Sequence, residues 1–489
     1  MWDEIDCTGR YPVCIIRLLP VLHCIRIILC LLLDWVLELG VLKRGRMLRA
    51  TWEAGRSFQK QKTESLIEQA MEQNATVTVK SVVIKEKKQG RPVPLNTVAL
   101  LKACSKALGI GPHSTMQAAE RLYLSGYLSY PRTESTAYPK SFDIKGTLQQ
   151  QVGDGRWGAY VRELIAQGPT KSRGGVDMGD HPPITPCRPA GPHELSGDMG
   201  RIFELVVRHF IASVSPDAVW QSTKISFEIE ALGPKGKFFL SGKELVSPGF
   251  LAILLHNEYG DKQEGELDDD DEEERQIPGF VEGEIIPLVK SNSGAGSAKV
   301  NVAQASPVWA SLDIKEKKTT APGYLTESEL IGMMEKHGIG TDASIATHIQ
   351  NIQNRNYVRL ETGRRLIPNK LGMVLVQGYH QIDSGLVLPK VRSDIEGQCN
   401  RIAKGDAEKD DVVRRALEIF QDKFAFFVAH IDRMDVLFSS SFSKLEDVGK
   451  AFTRCGFTRC ATCIMIADDA DDGGCSVPQS HFFTLLPHF

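Results

Sequence analysis

The stretch Glu120–Pro139, ERLYLSGYLSYPRTESTAYP, decides how the rest of the chain is interpreted. A helix is predicted to lead into it, because Ser114 and Gln117 have the spacing of a capping box. Gly126 is a typical residue to end that helix. The next four residues, Tyr127–Tyr130, are β-prone. The sequence therefore predicts a helix, a tight turn and a short strand that presents a tyrosine.

Two residues after Tyr130 comes an arginine, Arg132, and Pro131 ends the strand between them. Side chains two positions apart lie on the same side of an extended backbone. A phenol ionises with a pKa near ~10 and is a poor nucleophile at neutral pH unless a cation stabilises its anion. A guanidinium supplies that charge and can also bind a phosphate. The pair suits a tyrosine that attacks a phosphodiester, although Tyr-x-Arg alone also fits an ordinary strand end.

The longer pattern, Glu120-x-Leu122-Tyr123 followed by Leu128–Glu134, resembles the active-site motif of type IA DNA topoisomerases. Its extension through Ser135–Pro139 resembles topoisomerase III, in particular the beta branch. The resemblance implies that Tyr130 cleaves one strand through a 5′-phosphotyrosyl intermediate and that Arg132 stabilises the developing charge. A strand then passes, the break is resealed, and ATP is not required. A tyrosine recombinase is disfavoured, because that class carries its tyrosine late in the chain.

A second motif, Asp180–Pro186, holds His181 ahead of three prolines that fix an extended backbone. By itself this histidine is better explained by a turn without chemistry. The family has a histidine near the nucleophile, so the resemblance implies that His181 is a third catalytic residue. The same resemblance places Thr133 among the residues that contact nucleic acid.

A third motif begins where Thr326 and Glu329 form a capping box for a helix that runs toward the segment KHGIGTDAS. There a second helix begins, and a helix N-terminus with nearby hydroxyl groups favours phosphate. The segment resembles the family's nucleotide-binding element, with a hairpin expected after it. The predicted nucleic-acid contacts are Lys336, His337, Gly338, Gly340, Thr341, Asp342 and Ser344.

Composition bounds the class of protein. The 489 residues are 42% hydrophobic and 24% charged, as in soluble globular proteins, and the net charge is only −3. Residues 85–91 and 315–318 are basic, whereas 268–274 is an acidic run best explained as a solvated loop. The 11 cysteines suggest no disulfide framework and favour a reducing compartment. Of those near the end, Cys460 and Cys463 alone have zinc-like spacing, so bound zinc is disfavoured.

The predicted fold is an α+β multidomain protein with a toroidal type IA topoisomerase core, helical catalytic and strand-binding domains, and a β-rich arch. Residues 1–45 are expected to be an atypical leader with a buried or amphipathic helix, too interrupted to favour a membrane span. The arch is assigned to 46–95 and 241–315, the nucleophile-bearing domain to 96–240 and the helical DNA-binding domain to 316–445. Residues 446–489 are expected to be a truncated, zinc-ribbon-like tail.

In the family, a toprim domain supplies acidic ligands for Mg²⁺, and no such domain is recognisable in this sequence. The resemblance thus implies a magnesium-dependent isomerase, with a catalytically silent single-stranded nucleic-acid-binding fragment as the alternative. Implied partners are single-stranded DNA, with RNA as a second candidate, and a Tudor-type scaffold or a RecQ-type helicase. A nuclear location is implied, with the cytoplasm as a second one.

Overall fold

The computed structural model describes residues 33–191, 193–254, 273–274, 277–289, 308–318 and 323–442. Within these ranges the chain is an α+β protein, as predicted. It combines one large sheet with two groups of helices and a small hairpin. No helix in the described ranges has the length and apolar character needed to cross a membrane.

The sheet has eight strands. They are β1 Leu33–Lys43, β2 Arg46–Trp52, β3 Thr76–Gln89, β4 Ala218–Glu228, β5 Lys237–Ser247, β6 Glu273–Glu274, β7 Ile285–Pro287 and β8 Trp309–Lys318. The strand order is β7-β3-β4-β5-β2-β1-β8, with antiparallel neighbours throughout, and β6 pairs in parallel with β5. One face carries alternating buried residues, for example Leu37, Leu39 and Val41 of β1, and helix α1, Lys60–Glu72, contacts this sheet.

Residues 33–43, predicted as part of a leader with a helix, instead form strand β1 between β2 and β8. The expectation of a helix is wrong there, because the partner strand β8 lies far along the chain and a local pattern does not reveal it. The sheet also includes 218–240, through β4 and the start of β5, which the sequence assigned to the nucleophile-bearing domain. The remaining domain boundaries stay predictions, and residues 1–32 lie outside the described ranges.

The first helical group lies between β3 and β4. Its helices are α2 Thr97–Ala103, α3 Pro112–Leu124, α4 Ile144–Gln150, α5 Gly158–Gln167 and α6 Gly197–Ser213, and Cys104–Leu108 extends α2 as a wider π turn. The capping box at Ser114 is wrong: α3 begins at Pro112, which suits a first helical turn, with Gly111 as its N-cap. Gly126 follows the helix with φ +75°, as predicted. The predicted strand at 127–130 is reduced to a single bridge between Leu128 and Pro186.

The second helical group follows the sheet. It contains α7 Glu327–Lys336, α8 Ile345–Asn354, α9 Lys370–Ile382, α10 Pro389–Ala403, α11 Lys409–Ala429 and α12 Asp432–Ser441. The hairpin of β9, Val358–Glu361, and β10, Arg365–Pro368, lies between α8 and α9, as predicted. The capping box of Thr326 and Glu329 is confirmed at the start of α7. Short 3-10 turns occupy Glu230–Lys235, Gly249–Ala252 and Ser384–Leu386.

Three buried clusters hold these parts together. The first fills the first helical group and includes Leu122 and Leu128, and the second underlies the sheet. The third is shared: Leu101 and Met116 of the first helical group pack with Leu330, Met334 and others of the second. The first group is therefore joined to the second by apolar burial, which brings the tyrosine motif close to the glycine-containing loop between α7 and α8.

Candidate active site

The tyrosine motif is held by a second extended segment that runs beside it. The Ser129 N–H donates to the Thr185 carbonyl at 2.9 Å, and its hydroxyl donates to the Pro183 carbonyl at 3.1 Å. The Thr185 N–H in turn donates to the Ser129 hydroxyl at 2.9 Å. Further along, the Thr136 N–H donates to Val176 at 2.8 Å. The chain between Val176 and Pro186 therefore fixes the backbone on both sides of Tyr130.

The N-terminus of α2 also fixes the backbone of the tyrosine motif. The Thr97 side chain is fully buried, and its hydroxyl donates to the Pro131 carbonyl at 2.8 Å. The Thr133 N–H donates to the Thr97 oxygen at 2.8 Å, and the Thr97 N–H donates to the Thr133 carbonyl at 3.1 Å. Asn96 caps the same helix by accepting from the Ala99 N–H. One threonine thus binds the backbone on both sides of Arg132.

Tyr130 is half-buried between two other rings. Its ring centroid lies 5.2 Å from that of Tyr123 in an edge-to-face arrangement and 4.7 Å from that of His181. These contacts restrict the direction of the phenol. The structure therefore brings together Tyr130 and His181, two of the residues that the sequence proposed as catalytic. The catalytic role of His181 itself stays a prediction.

Arg132 does not pair with Tyr130 in this structure. Its Nε and Nη2 donate to Oε1 of Glu120 at 2.9 and 2.6 Å, and its Nη1 donates to the Ala343 carbonyl at 3.2 Å. Ala343 lies in the loop between α7 and α8. The guanidinium therefore connects the tyrosine motif with the predicted nucleic-acid-binding loop, and both sites form one continuous region.

Thr133, a predicted nucleic-acid contact, is buried beside the tyrosine. Its side chain is 1% exposed, and its hydroxyl donates to the backbone carbonyl of His181 at 2.9 Å. Its contact with nucleic acid stays a prediction. Its observed contact instead fixes the backbone of His181 beside Tyr130.

The loop between α7 and α8 turns through two glycines with positive φ, Gly338 at +59° and Gly340 at +82°. The Thr341 N–H then donates to the Ser344 hydroxyl at 2.9 Å, and Ser344 is the N-cap of α8. Lys336 is exposed, and His337 is half-buried. Burial, with the charge of Lys336, lowers the pKa of His337, which favours a neutral imidazole at pH 7.

An acidic side chain faces this loop. Burial raises the pKa of Glu134, and the negative charges of Asp342 and Asp180 raise it further. The hydroxyl of Ser135 donates to Asp180 at 3.0 Å, so that carboxylate is held beside the motif. In the described part of the chain, no group of three or more histidine, cysteine, aspartate or glutamate side chains is arranged to hold a metal ion. The described residues therefore do not fit a magnesium site.

Several residues of the site were not identified from the sequence. Glu120 and Tyr123 were part of the quoted motif, and their i, i+3 spacing on a helix would have placed them on one face. Thr97 and Ala343 lie far from Tyr130 in the sequence, and no local signal connects them with it. The cysteines proposed for a zinc-ribbon-like tail lie outside the described residues.

Comparison with known proteins shows the family to which the chain belongs. The DNA topoisomerase family matches residues 35–414, and the chain belongs to that family. Within it, the chain is type IA and similar to topoisomerase III. It is 44% identical to human DNA topoisomerase 3-beta-1 over 424 residues, which is 86% of this chain and 45% of that protein. The corresponding identity to DNA topoisomerase 3-beta of Arabidopsis thaliana is 40% over 422 residues, or 86% of this chain and 44% of that protein.

Human DNA topoisomerase 3-alpha is 33% identical over 359 residues, 73% of this chain and 32% of that protein. The chain thus spans less than half the length of these relatives. Among solved structures, full-length topoisomerase I from Thermotoga maritima aligns with a TM-score of 0.60 and 19% identity. The alignment covers 87% of this chain and 63% of that one. This neighbour supports the predicted fold class, an α+β type IA topoisomerase core.

Proposed function

We propose that this chain is the strand-cleaving and strand-holding part of a topoisomerase III-like enzyme. The observation that carries the proposal is the position of Tyr130, half-buried between Tyr123 and His181, with Arg132 bonded to the loop that follows α7. A nucleophile, a titratable ring and a cation next to a glycine turn are the parts that phosphodiester transesterification requires.

In the proposed reaction, Oη of Tyr130 attacks the phosphorus of a single-stranded phosphodiester. The bond from phosphorus to the 3′ oxygen breaks, this oxygen takes a proton from water to leave as a 3′ hydroxyl, and a 5′-phosphotyrosyl ester forms. His181, whose ring contacts Tyr130, takes up the phenolic proton, and Arg132 binds the phosphoryl oxygens as charge develops. Because the ester conserves the energy of the broken bond, the 3′ hydroxyl can reseal the strand without ATP.

The strand itself is proposed to lie along the loop between α7 and α8. Lys336, Thr341 and Ser344 supply a cation and hydroxyl groups there, and the N-terminus of α8 adds a favourable dipole for phosphate. We propose single-stranded DNA as the substrate, with RNA as a second candidate. The proposed location is the nucleus, with the cytoplasm as a second one. A Tudor-type scaffold or a RecQ-type helicase is the proposed partner class, by resemblance alone.

A second candidate function is a single-stranded nucleic-acid-binding protein without activity of its own. It is favoured by the described residues, which provide no arrangement for the magnesium ion that the family uses. Under this alternative the chain binds oligonucleotides but forms no covalent product. The chain by itself is expected to relax negatively supercoiled DNA weakly, and strong relaxation by the purified chain would contradict that expectation.

Covalent trapping distinguishes the two functions. The chain is incubated with a labelled single-stranded oligonucleotide and magnesium, denatured with detergent, and the adduct is mapped by mass spectrometry. An adduct on Tyr130 supports cleavage, and Tyr130→Phe should abolish it while leaving affinity nearly unchanged. Tyr123→Phe is the matched control, since it removes a hydroxyl from the neighbouring ring and should keep the adduct. An adduct on another residue would refute the assignment, and binding without an adduct would favour the second function.

A further inference from the structure

Helix α3 presents two side chains to the site from one face. Tyr123, three residues after Glu120, contacts the ring of Tyr130, and Glu120 accepts two hydrogen bonds from Arg132. Residues three apart are neighbours on a helix surface. Each of the two motif side chains with proposed chemistry is therefore held by one residue of the same helix.

The contact of Glu120 leaves part of the guanidinium available. Of its five N–H groups, one on Nε and one on Nη2 donate to Glu120, and one on Nη1 donates to Ala343. The other two, on Nη1 and Nη2, have no partner among the described residues. Arg132 is thus oriented by a carboxylate while it keeps two donors for a phosphate.

We infer that Glu120 is a positioning residue, which fixes the guanidinium of Arg132 for the scissile phosphate. This inference rests on the proposed function for its phosphate. The side chain of Glu120 is 39% exposed and that of Arg132 is 29% exposed, so the ion pair is partly solvated. Such a pair contributes little to stability, and its main effect is to orient the guanidinium. Nε and Nη2 share one acceptor oxygen, which restrains rotation of the guanidinium about the end of the side chain.

Glu120→Ala should change the affinity and the rate of adduct formation in different directions. Loss of the carboxylate removes a competing negative charge, so the affinity for a single-stranded oligonucleotide should stay equal or increase a few-fold at low salt. Loss of the orientation should lower the rate of adduct formation by about tenfold or more, because small misplacements of catalytic groups are costly. Glu120→Gln keeps an acceptor oxygen and should retain most of the rate.

The experiment compares Glu120→Ala, Glu120→Gln, Arg132→Ala and the double alanine variant for affinity and for adduct rate. Because Glu120 acts through Arg132, its removal should have no further effect in the Arg132→Ala background. Glu204→Ala is the control, since Glu204 likewise accepts hydrogen bonds from arginine side chains, Arg208 and Arg156, away from the site. An unchanged adduct rate in Glu120→Ala, or a joint loss of rate and affinity, would overturn the inference.

An NMR measurement that does not require strand cleavage separates this inference from the proposed function. The Arg132 Nε–H signal in ¹⁵N-arginine-labelled chain is assigned by its loss in Arg132→Lys. It should move and exchange faster with water in Glu120→Ala but not in Glu204→Ala. If the unmodified chain forms no adduct, the proposed cleavage fails, whereas the positioning contact is still judged by this signal. An Arg132 signal that is identical in Glu120→Ala refutes the positioning contact.

Discussion

The buried hydroxyl of Thr97 should control the order of the whole tyrosine motif. Thr97→Val keeps the shape of the side chain but removes the group that accepts from the Thr133 N–H and donates to the Pro131 carbonyl, each at 2.8 Å. A buried polar group left without its partner costs about 1–3 kcal/mol. The Thr133 carbonyl keeps its bond from the Thr97 N–H. One donor and one acceptor therefore lose partners, and we expect a cost of at least ~2 kcal/mol.

Hydrogen exchange of the peptide that covers residues 128–136, followed by mass spectrometry, measures this cost locally. A cost of about 2 kcal/mol corresponds to about 30-fold faster exchange through local opening. Thr97→Ser is the control, because it keeps the hydroxyl and removes one methyl group. The adduct rate at Tyr130 should fall in the valine variant and not in the serine variant. Equal exchange in the two variants would show that the hydroxyl does not order the motif.

Three further predictions concern stability. Burial lowers the pKa of His209 to about 4, below its unfolded value of about 6.5. The stability that the neutral His209 side chain contributes is therefore complete above the unfolded pKa and is lost as the pH falls toward the folded pKa. Between pH 7 and pH 4 the free energy of unfolding should fall by about 3 kcal/mol more in the unmodified chain than in His209→Gln. An equal fall in the two proteins would refute this. Arg364→Met should destabilise by about 3–5 kcal/mol in denaturant unfolding, because it leaves Glu327, whose side chain is fully buried, without its cation. Glu327→Gln should cost less, and the reverse order would contradict the argument. Gly175→Ala should lower the melting temperature, because φ is +89° and a Cβ would lie 2.1 Å from the Thr136 carbonyl oxygen. An unchanged melting temperature would show that the backbone yields there.

Local signals in the sequence predicted local structure well. The capping box at Thr326 and the glycine after α3 each depend on contacts within about four residues, and the structure confirms both. The capping box at Ser114 was wrong for a related reason. Pro112 is itself a favourable first helical residue, so the helix starts three residues earlier and Ser114 lies inside it.

Contacts between distant segments were not predictable in the same way. Strand β1 pairs with strand β8, Trp309–Lys318, and the sequence around residue 37 does not indicate this partner. The burial of Thr133 depends on Thr97 and His181, which approach it from two other segments. The contact between Tyr130 and His181 was expected only through resemblance to a family. The residues proposed for chemistry were recognisable in the sequence, whereas the hydrogen bonds that support them were not.

The two contacts of Arg132 have different consequences if the helical groups move apart. Glu120 belongs to α3, whose buried residues share the first cluster with Leu128 of the tyrosine motif. Ala343 belongs to the second helical group, which is joined to the first through the third cluster. Separation of the groups would break the bond to Ala343 and leave the bonds to Glu120 intact. Arg132 would then stay oriented relative to Tyr130 and gain a third free donor. The position of the guanidinium is therefore set within the tyrosine-bearing group, and the α7–α8 loop determines only how much of it is available to a phosphate.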